Sequence, residues 1–324
     1  MPRKPEPPPF EGALVIHKPA GKTSHDVVEA VRRLLGFRQI GHLGTLDPLA
    51  TGVLPLLLGR ATRLAQFYAG RHKRYECTIR FGFATDTYDA DGQPLGPDLQ
   101  PVLDRRQIEA LAARFVGRIT QIPPAFSAKK IHGRPAHALA RRKRPVTLKP
   151  VEVEVYEFRV LDVQGCCARV AIECAAGTYI RSLAHELGQL HGSGAHLAEI
   201  VRTAVGEFTL DRAIALEELA RCVQSGRLAE VIIPLEHLLP ELPRVTVLPV
   251  IERRVRHGTR FDVLPAQIQP GQDVMPAGAT APLVSAAPRP NRLRVFNQQG
   301  RLIAIAQAIV PRTYQPIVVL DAAP

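Results

Sequence analysis

The chain has no tryptophan, two methionines and only 5% aromatic residues. An interfacial membrane helix sets an apolar, aromatic-bearing face against a basic one, and no segment carries that pattern, so anionic-membrane binding is set aside. Long apolar runs are also missing. VLPLLLG, Val53 to Gly59, falls far short of the roughly 20 residues that span a bilayer. There are five cysteines, Cys77, Cys166, Cys167, Cys174 and Cys222, with no C-x-x-C pair. The odd count and irregular spacing exclude a disulfide framework and a zinc ribbon, and fit a reducing cytoplasm. The first residues, MPRKPEPPPF, have charge and proline but no apolar stretch, which excludes a signal peptide.

Several catalytic signatures are absent as well. There is no P-loop and no G-x-S-x-G elbow, and HGSGAHL lacks the third glycine of a dinucleotide fingerprint. HELGQLH places His185 and His191 six apart, off the shared face that an i, i+4 metal pair needs, and reads as a surface helix. TYDADGQPLGPD has Thr87 for the first acid of a calcium loop and Asp98 for the bidentate glutamate, so it reads as an acidic turn. No metal and no cofactor are expected.

What the sequence does have is positive charge. Lys and Arg number 42 against 30 acids, giving +12 and a pI near 9.9 over 324 residues. Such a surplus fits a polyanionic partner, and it equally fits a soluble protein that is merely basic. The surplus is uneven: residues 121–150, QIPPAFSAKKIHGRPAHALARRKRPVTLKP, hold eight Lys or Arg and no acid.

Along the chain, residues 1–10 read as a tail. ALVIHK reads as a strand, followed by a helix over HDVVEAVRRLLG with Ser24 as its N-cap and Gly36 as its stop. RYECTIRFGF alternates like a half-buried strand, and Asp104 is placed to cap the helix RRQIEALAARFVG. Two strands follow near 151–163 and 166–174, then a helix over TYIRSLAHELGQL with Thr178 as its cap, then a strand near 197–203. Strands and helices without regular alternation predict an α+β fold with a mixed, mostly antiparallel sheet. Near 240, LLPELPRVTVLP reads as a linker to a small β-rich domain over 245–324, in which 265–292 reads as a long flexible loop.

GHLGTLDPLATGVL, Gly41 to Leu54, raises the chemical question. Its one carboxylate, Asp47, is followed by Pro48, which disfavours the α region, and Gly44 and Gly52 permit close backbone approach. An Asp-Pro turn explains the pattern without function. A lone carboxylate without a metal can serve as nucleophile, general base or stabiliser of a cationic transition state, as in glycosidic-bond chemistry. Arg181 lies in the first turn of its helix, where a cation opposes the helix dipole by about 0.3–1 kcal/mol; a buried carboxylate partner would account for it.

The blocks HKPAGKTSHDVV, GHLGTLDPLATGVLPLLLGRATRL, KRYECTIRFGFATDTYDADG, QIPPAFSAKKIHGRPAHALAR and GTYIRSLAHELG resemble, in order, those of the TruB family of tRNA pseudouridine-55 synthases. The resemblance covers about residues 14 to 210. It implies a pseudouridine synthase catalytic domain over 11–240, with an RNA-binding insertion at 121–150, and a weaker likeness to a PUA-type RNA-binding domain after 245. It implies isomerisation of uridine 55 in the tRNA T loop without a cofactor, by a cytoplasmic protein. Asp47 is then the catalytic carboxylate, Tyr75 the tyrosine that stacks on the base, and Arg181 the partner of the acid. His42 occupies space left by the flipped nucleotide, and Ile200 walls the uracil pocket. Lys129, Lys130, Arg141 and Arg142, with Lys143 and Arg144 beside them, are candidates for gripping phosphates. The sequence departs from the family after GAHL, where Ile200, Val201 and Arg202 stand for the usual leucine and two arginines; Arg202 keeps one RNA-contacting candidate. The tRNA partner is expected through its T arm, with acceptor-arm contact left open, and a monomer is the simplest expectation. Two other readings stand beside this one: a tRNA-folding chaperone that needs no catalysis, and a guide-RNA-dependent synthase subunit, which shares the GTLDP block but lacks KIHGRPAHALAR.

Overall fold

The structure, a computed structural model, describes residues 10–124, 130–131, 134–135, 149–272 and 291–321. β1 (Gly12–Lys18) is buried at every position but one, the pattern of a strand covered on both faces. α1 (Ser24–Leu35) follows. Its cap is Thr23 rather than Ser24: the Thr23 side chain accepts from the Asp26 N–H and the Asp26 carboxylate accepts from the Thr23 N–H, a reciprocal capping box. Ser24 is the first helical residue, buried, and directed elsewhere. Gly36 closes the helix in the left-handed conformation, φ 61°.

Next come β2 (Ile40–His42), β3 (Thr51–Leu58), the short α2 (Ala65–Tyr68), β4 (Lys73–Phe81), α3 (Arg105–Ala113) and β5 (Gly117–Gln121). Asp104 caps α3 by accepting from the Arg106 N–H at 2.9 Å. The basic segment contributes the two-residue pair β6 (Lys130–Ile131) and β7 (Arg134–Pro135). β8 (Val151–Gln164), β9 (Cys167–Cys174), α4 (Ile180–His191), β10 (Ala195–Val205), β11 (Phe208–Thr209), α5 (Leu216–Gln224) and β12 (Ile232–Pro234) complete the first sheet. Its strand order is β12-β1-β3-β10-β4-β9-β8-β5, with β2 added to β3 and β11 to β10.

Within this sheet every pair is antiparallel except β3 with β10, which run parallel with Val201 opposite Thr51 and Arg202 opposite Gly52. α3 and α4 cover the β4–β9–β8 part, where Ile108, Leu183 and Leu187 pack on Cys77, Val170 and Ile172. α1 and α5 cover the β1–β3 part through Val27, Val31 and Leu219. The HELGQLH helix is therefore not a surface helix. Leu187 and Gly188 are buried in it, and a side chain at Gly188 would fall 2.1 Å from the backbone of Ala195.

A second sheet comprises β13 (Arg244–Thr246), β14 (Phe261–Asp262), β15 (Arg292–Phe296), β16 (Leu302–Val310) and β17 (Thr313–Val319), in the order β13-β15-β16-β17-β14. α6 (Pro249–Arg256) packs Val255 into its core. The stretch read as a linker is packed: Leu238 and Leu239 are fully buried with Val53, Leu57 and Tyr68 on one side and Phe296, Leu302 and Val318 on the other. Arg294 donates to the carbonyls of Leu238, Pro240 and Leu242, and Arg71 pairs with Glu241. The start of the expected loop is held too, since Gln269 bridges Arg244 and the Gln272 N–H donates to Pro240 O; residues 273–290 lie outside the described residues. Among the described residues no helix is long and apolar enough to cross a membrane.

Candidate active site

The site forms where the pairing of the first sheet switches direction. The loop between β2 and β3 carries Asp47, and the residues on both sides of Asp47 are anchored from below. Ser24 Oγ accepts from the Leu46 N–H at 2.8 Å and donates to Leu46 O at 3.3 Å. Pro48 O accepts from the Gly21 N–H at 2.9 Å and from Lys18 Nζ at 3.2 Å. Lys18 is fully buried and also donates to Pro19 O and Lys22 O. Burial pulls its ammonium down to about 8, with Asp47 opposing. Leu46 and Ala50 sit in the apolar core beneath. With its neighbours fixed, Asp47 presents a carboxylate that is 47% exposed toward a cavity.

Gly52 is required by the parallel pairing. At φ 99° a side chain there would sit 2.3 Å from Arg202 O, so β3 and β10 approach this closely only without one.

Arg181 projects from the first turn of α4. That helix is capped at Tyr179, not Thr178, and without a side-chain hydrogen bond; Thr178 Oγ1 donates to Ala175 O instead. Arg181 Nε lies 2.9 Å from Asp47 Oδ2, and Nη1 lies 3.2 Å from Asp89 Oδ2 and donates to Thr87 O at 3.1 Å. The side chains of Arg181 and Asp89 are each only 7% exposed. The acidic turn does not line the cavity but backs this site by holding Arg181 from behind. Tyr88, held at φ 66°, and the Leu197 N–H, which donates to Tyr88 O, fix the backbone that aims Asp89 inward. Burial raises the Asp47 carboxyl from its ordinary value; Arg181 pulls it back and Asp89 pushes it up.

Tyr75 lies on β4, buried, and burial raises its phenol well above the ordinary value, with Arg202 opposing. The cavity, about 320 Å³, is lined by Asp47, Tyr75, Arg181 and Ile200 together with Lys73 and Tyr179. That volume is at the lower end of the roughly 300–1,000 Å³ typical of small-molecule sites. Tyr179 is fixed through its backbone, which exchanges hydrogen bonds with the Gln121 side chain at 2.8 and 3.0 Å. His42, at the end of β2, does not line the cavity; burial and the Arg202 charge lower its imidazole.

The sequence candidates Asp47, Tyr75, Arg181 and Ile200 are brought together. Arg202 is not at the surface: it is fully buried, with its guanidinium bonded to backbone carbonyls, so it cannot reach an RNA phosphate in this conformation. Lys129, Arg141 and Arg142, with Lys143 and Arg144, lie outside the described residues, and only the backbone of Lys130 is described. Asp89, Lys73, Tyr179 and Lys18 are additions. Asp89 and Tyr179 sat inside quoted motifs, but nothing local marked them as facing Asp47.

A loop carboxylate held by a buried arginine thus stands beside a buried tyrosine on a mixed sheet, and the comparisons with known proteins give this arrangement its class, that of the pseudouridylate synthases. Solved structures share the fold: "Structure of H/ACA RNP bound to a substrate RNA containing 2'-deoxyuridine" superposes with TM-score 0.70 at 24% identity, covering 97% of this chain and 85% of that one. "Crystal Structure of a Cbf5-Nop10-Gar1 Complex" does so with TM-score 0.71 at 24% identity, covering 98% and 91%. The family model for the TruB family pseudouridylate synthase N-terminal domain matches residues 32–180, and that for the tRNA pseudouridylate synthase B C-terminal domain matches 181–240. The tRNA pseudouridine synthase B of Solibacter usitatus (strain Ellin6076) is 43% identical over 311 residues, 96% of this chain and all of the relative. That of Geobacillus thermodenitrificans (strain NG80-2) is 38% identical over 267 residues, 80% of this chain and 88% of the relative. The chain belongs to the TruB family of pseudouridylate synthases. The two family models meet at Ile180 and Arg181, inside α4, so the boundary between them divides one continuous sheet and one cavity.

Proposed function

We propose that the protein isomerises uridine 55 in the T loop of tRNA to pseudouridine. The observation that carries the reading is the Asp47–Arg181–Asp89 chain at the wall of a cavity backed by Tyr75, in a member of a family whose relatives are named for this reaction. The bond from C1′ to N1 breaks, the base turns, C5 bonds to C1′, the proton on C5 leaves to solvent and N1 takes up a proton; nothing is oxidised or reduced. Asp47 is the group that acts at the sugar, as nucleophile or as base toward the 2′ position. Arg181 orients it and holds it charged. Tyr75 and Ile200 clamp the uracil, and the closed base of the loop keeps the acid from retreating.

A stacked T-loop base must leave its stack to enter this cavity, at a cost of about a few kcal/mol. The acid-free segment 121–150 and the +12 net charge offset that cost by attracting phosphates. The T arm is the contact surface, the second sheet is a PUA-like RNA-binding domain, and the protein works as a cytoplasmic monomer.

The test is tritium release from C5-labelled uridine in an unmodified tRNA transcript, with wild type and Asp47→Asn side by side. Release by wild type alone is the expected result. No release by either, with tRNA still bound, would replace this reading with that of a tRNA-folding chaperone.

A further inference from the structure

We propose, on the basis of the functional reading above, that Arg202 is a positioning residue that couples the Asp47 loop to Tyr75. It is fully buried, and its three nitrogens each have a different backbone target. Nη2 donates to Gly44 O at 3.0 Å, Nη1 to Thr45 O at 3.3 Å and Nε to Val53 O at 2.8 Å. Gly44 and Thr45 lead into Asp47, and Val53 follows it on β3, so one planar group grips the loop on both sides of the acid. The same side chain faces Tyr75 across the strand pair, close enough for the guanidinium and the phenol to act on each other electrostatically. The strand registers explain how: Arg202 on β10 stands opposite Tyr75 on β4 and opposite Gly52 on β3.

Packing alone does not call for an arginine here. A buried guanidinium is disfavoured unless its charge is compensated, and among the described residues no carboxylate pairs with it. Its charge is met by carbonyl dipoles and a phenol. An apolar side chain would fill the space without the desolvation penalty, but only a rigid fork satisfies three carbonyls at fixed angles while keeping a charge beside the Tyr75 phenol. A lysine has the charge without the fork. Ser24, Lys18 and Arg181 hold the loop from other sides; Arg202 is the residue that links it to the strand pair carrying Tyr75.

The experiment compares wild type, Arg202→Lys, Arg202→Met, Tyr75→Phe and the Arg202→Met/Tyr75→Phe double variant. Single-turnover tritium release is measured with protein in excess, alongside the Kd for the same tRNA and the folded fraction by circular dichroism. A displaced reacting group costs about 100-fold in rate. The expected result is therefore a loss of about that size in Arg202→Met, a smaller one in Arg202→Lys, and a Kd within about threefold of wild type. The double variant should be little slower than the slower single variant, because both changes break one connection. Overturning results are a rate for Arg202→Met close to wild type, a loss that appears in Kd instead, or single losses that multiply in the double variant. If Arg202→Met does not fold, Arg202→Lys decides by the same criteria of rate against Kd. Wild type without tritium release would overturn the functional reading and this one together; wild-type release with indifferent Arg202 variants would overturn this one alone.

Discussion

Replacing Asp89 by asparagine removes one charge from the buried chain at the active site while keeping the side chain's shape. Unit charges 3.2 Å apart attract by about 5 kcal/mol at an effective dielectric near 20, before desolvation is subtracted. Breaking such a buried pair from one side costs about 3–5 kcal/mol. Asparagine retains an oxygen that can accept from Thr87 Oγ1 and the Asp91 N–H, so the lower end, about 3 kcal/mol, is the expected loss of stability. Arg181 keeps Asp47 and Thr87 O, but loses the anchor that pulls it away from the cavity. Single-turnover tritium release should fall by roughly 10- to 100-fold as the acid loses its orientation. The sign of the pH effect is fixed as well. Asp89 pushes the Asp47 carboxyl up, so its neutralisation should move the acidic limb of the rate profile to lower pH. Urea denaturation and release rates across pH measure both parts. A variant with wild-type midpoint and wild-type rate would refute the argument; an acidic limb displaced to higher pH would refute its electrostatic half.

Three further outcomes follow from the same geometry. Asp47 is raised by burial, so the folded chain binds its proton more tightly than the unfolded chain, and the ionised form subtracts stability above the folded value. Asp47→Asn should therefore melt at or above the wild-type temperature near neutral pH, with the gain vanishing below the unfolded value of about 3.9 in calorimetry. Lys18 is lowered from 10.5 to about 8, so wild-type stability should rise with pH across that window as the unfolded chain keeps a proton the folded one has lost. Lys18→Met should abolish that slope; at neutral pH the carbonyls left without a donor cost about 1–3 kcal/mol, offset in part by removal of the buried charge. Gly52→Ala should cost about 3 kcal/mol or more in chemical denaturation, because its side chain meets Arg202 O at a positive φ.

Much of the fold could be read locally. The alternation of β4, the Gly36 stop and the Asp104 cap are each determined by a few neighbouring residues. Where two adjacent residues were equally suited, local reading failed: Thr23 and Ser24 both cap helices well, and the choice is made by Leu46, which engages Ser24. Asp89 was hidden for a similar reason. Its turn resembles a poor calcium loop, and its partner Arg181 belongs to a distant helix. Arg202 reads as an exposed strand cation until the parallel pairing with β3 covers it. The proline-punctuated stretch before β13 looks detachable, yet Leu238 and Leu239 are buried by a sheet made of later residues. In each case the missing term is a tertiary contact that overrides a sound local preference.

The parallel junction between β3 and β10 also bears on how the protein comes to be made. Thr51 and Ile200, which touch across it, are 149 residues apart in the chain. At about 5–20 residues per second of synthesis, the ribosome needs roughly 7–30 s to supply the second strand after the first. During that interval TGVLPLLL has β1 along one edge and β2 along only Leu56 to Leu58 of the other, so its first half keeps an open edge and is a template for mispairing. The strand that ends the exposure is the one that delivers Arg202 and Ile200. Release from a nascent-chain hazard and completion of the active site are thus a single event, and no shorter nascent chain can have the one without the other.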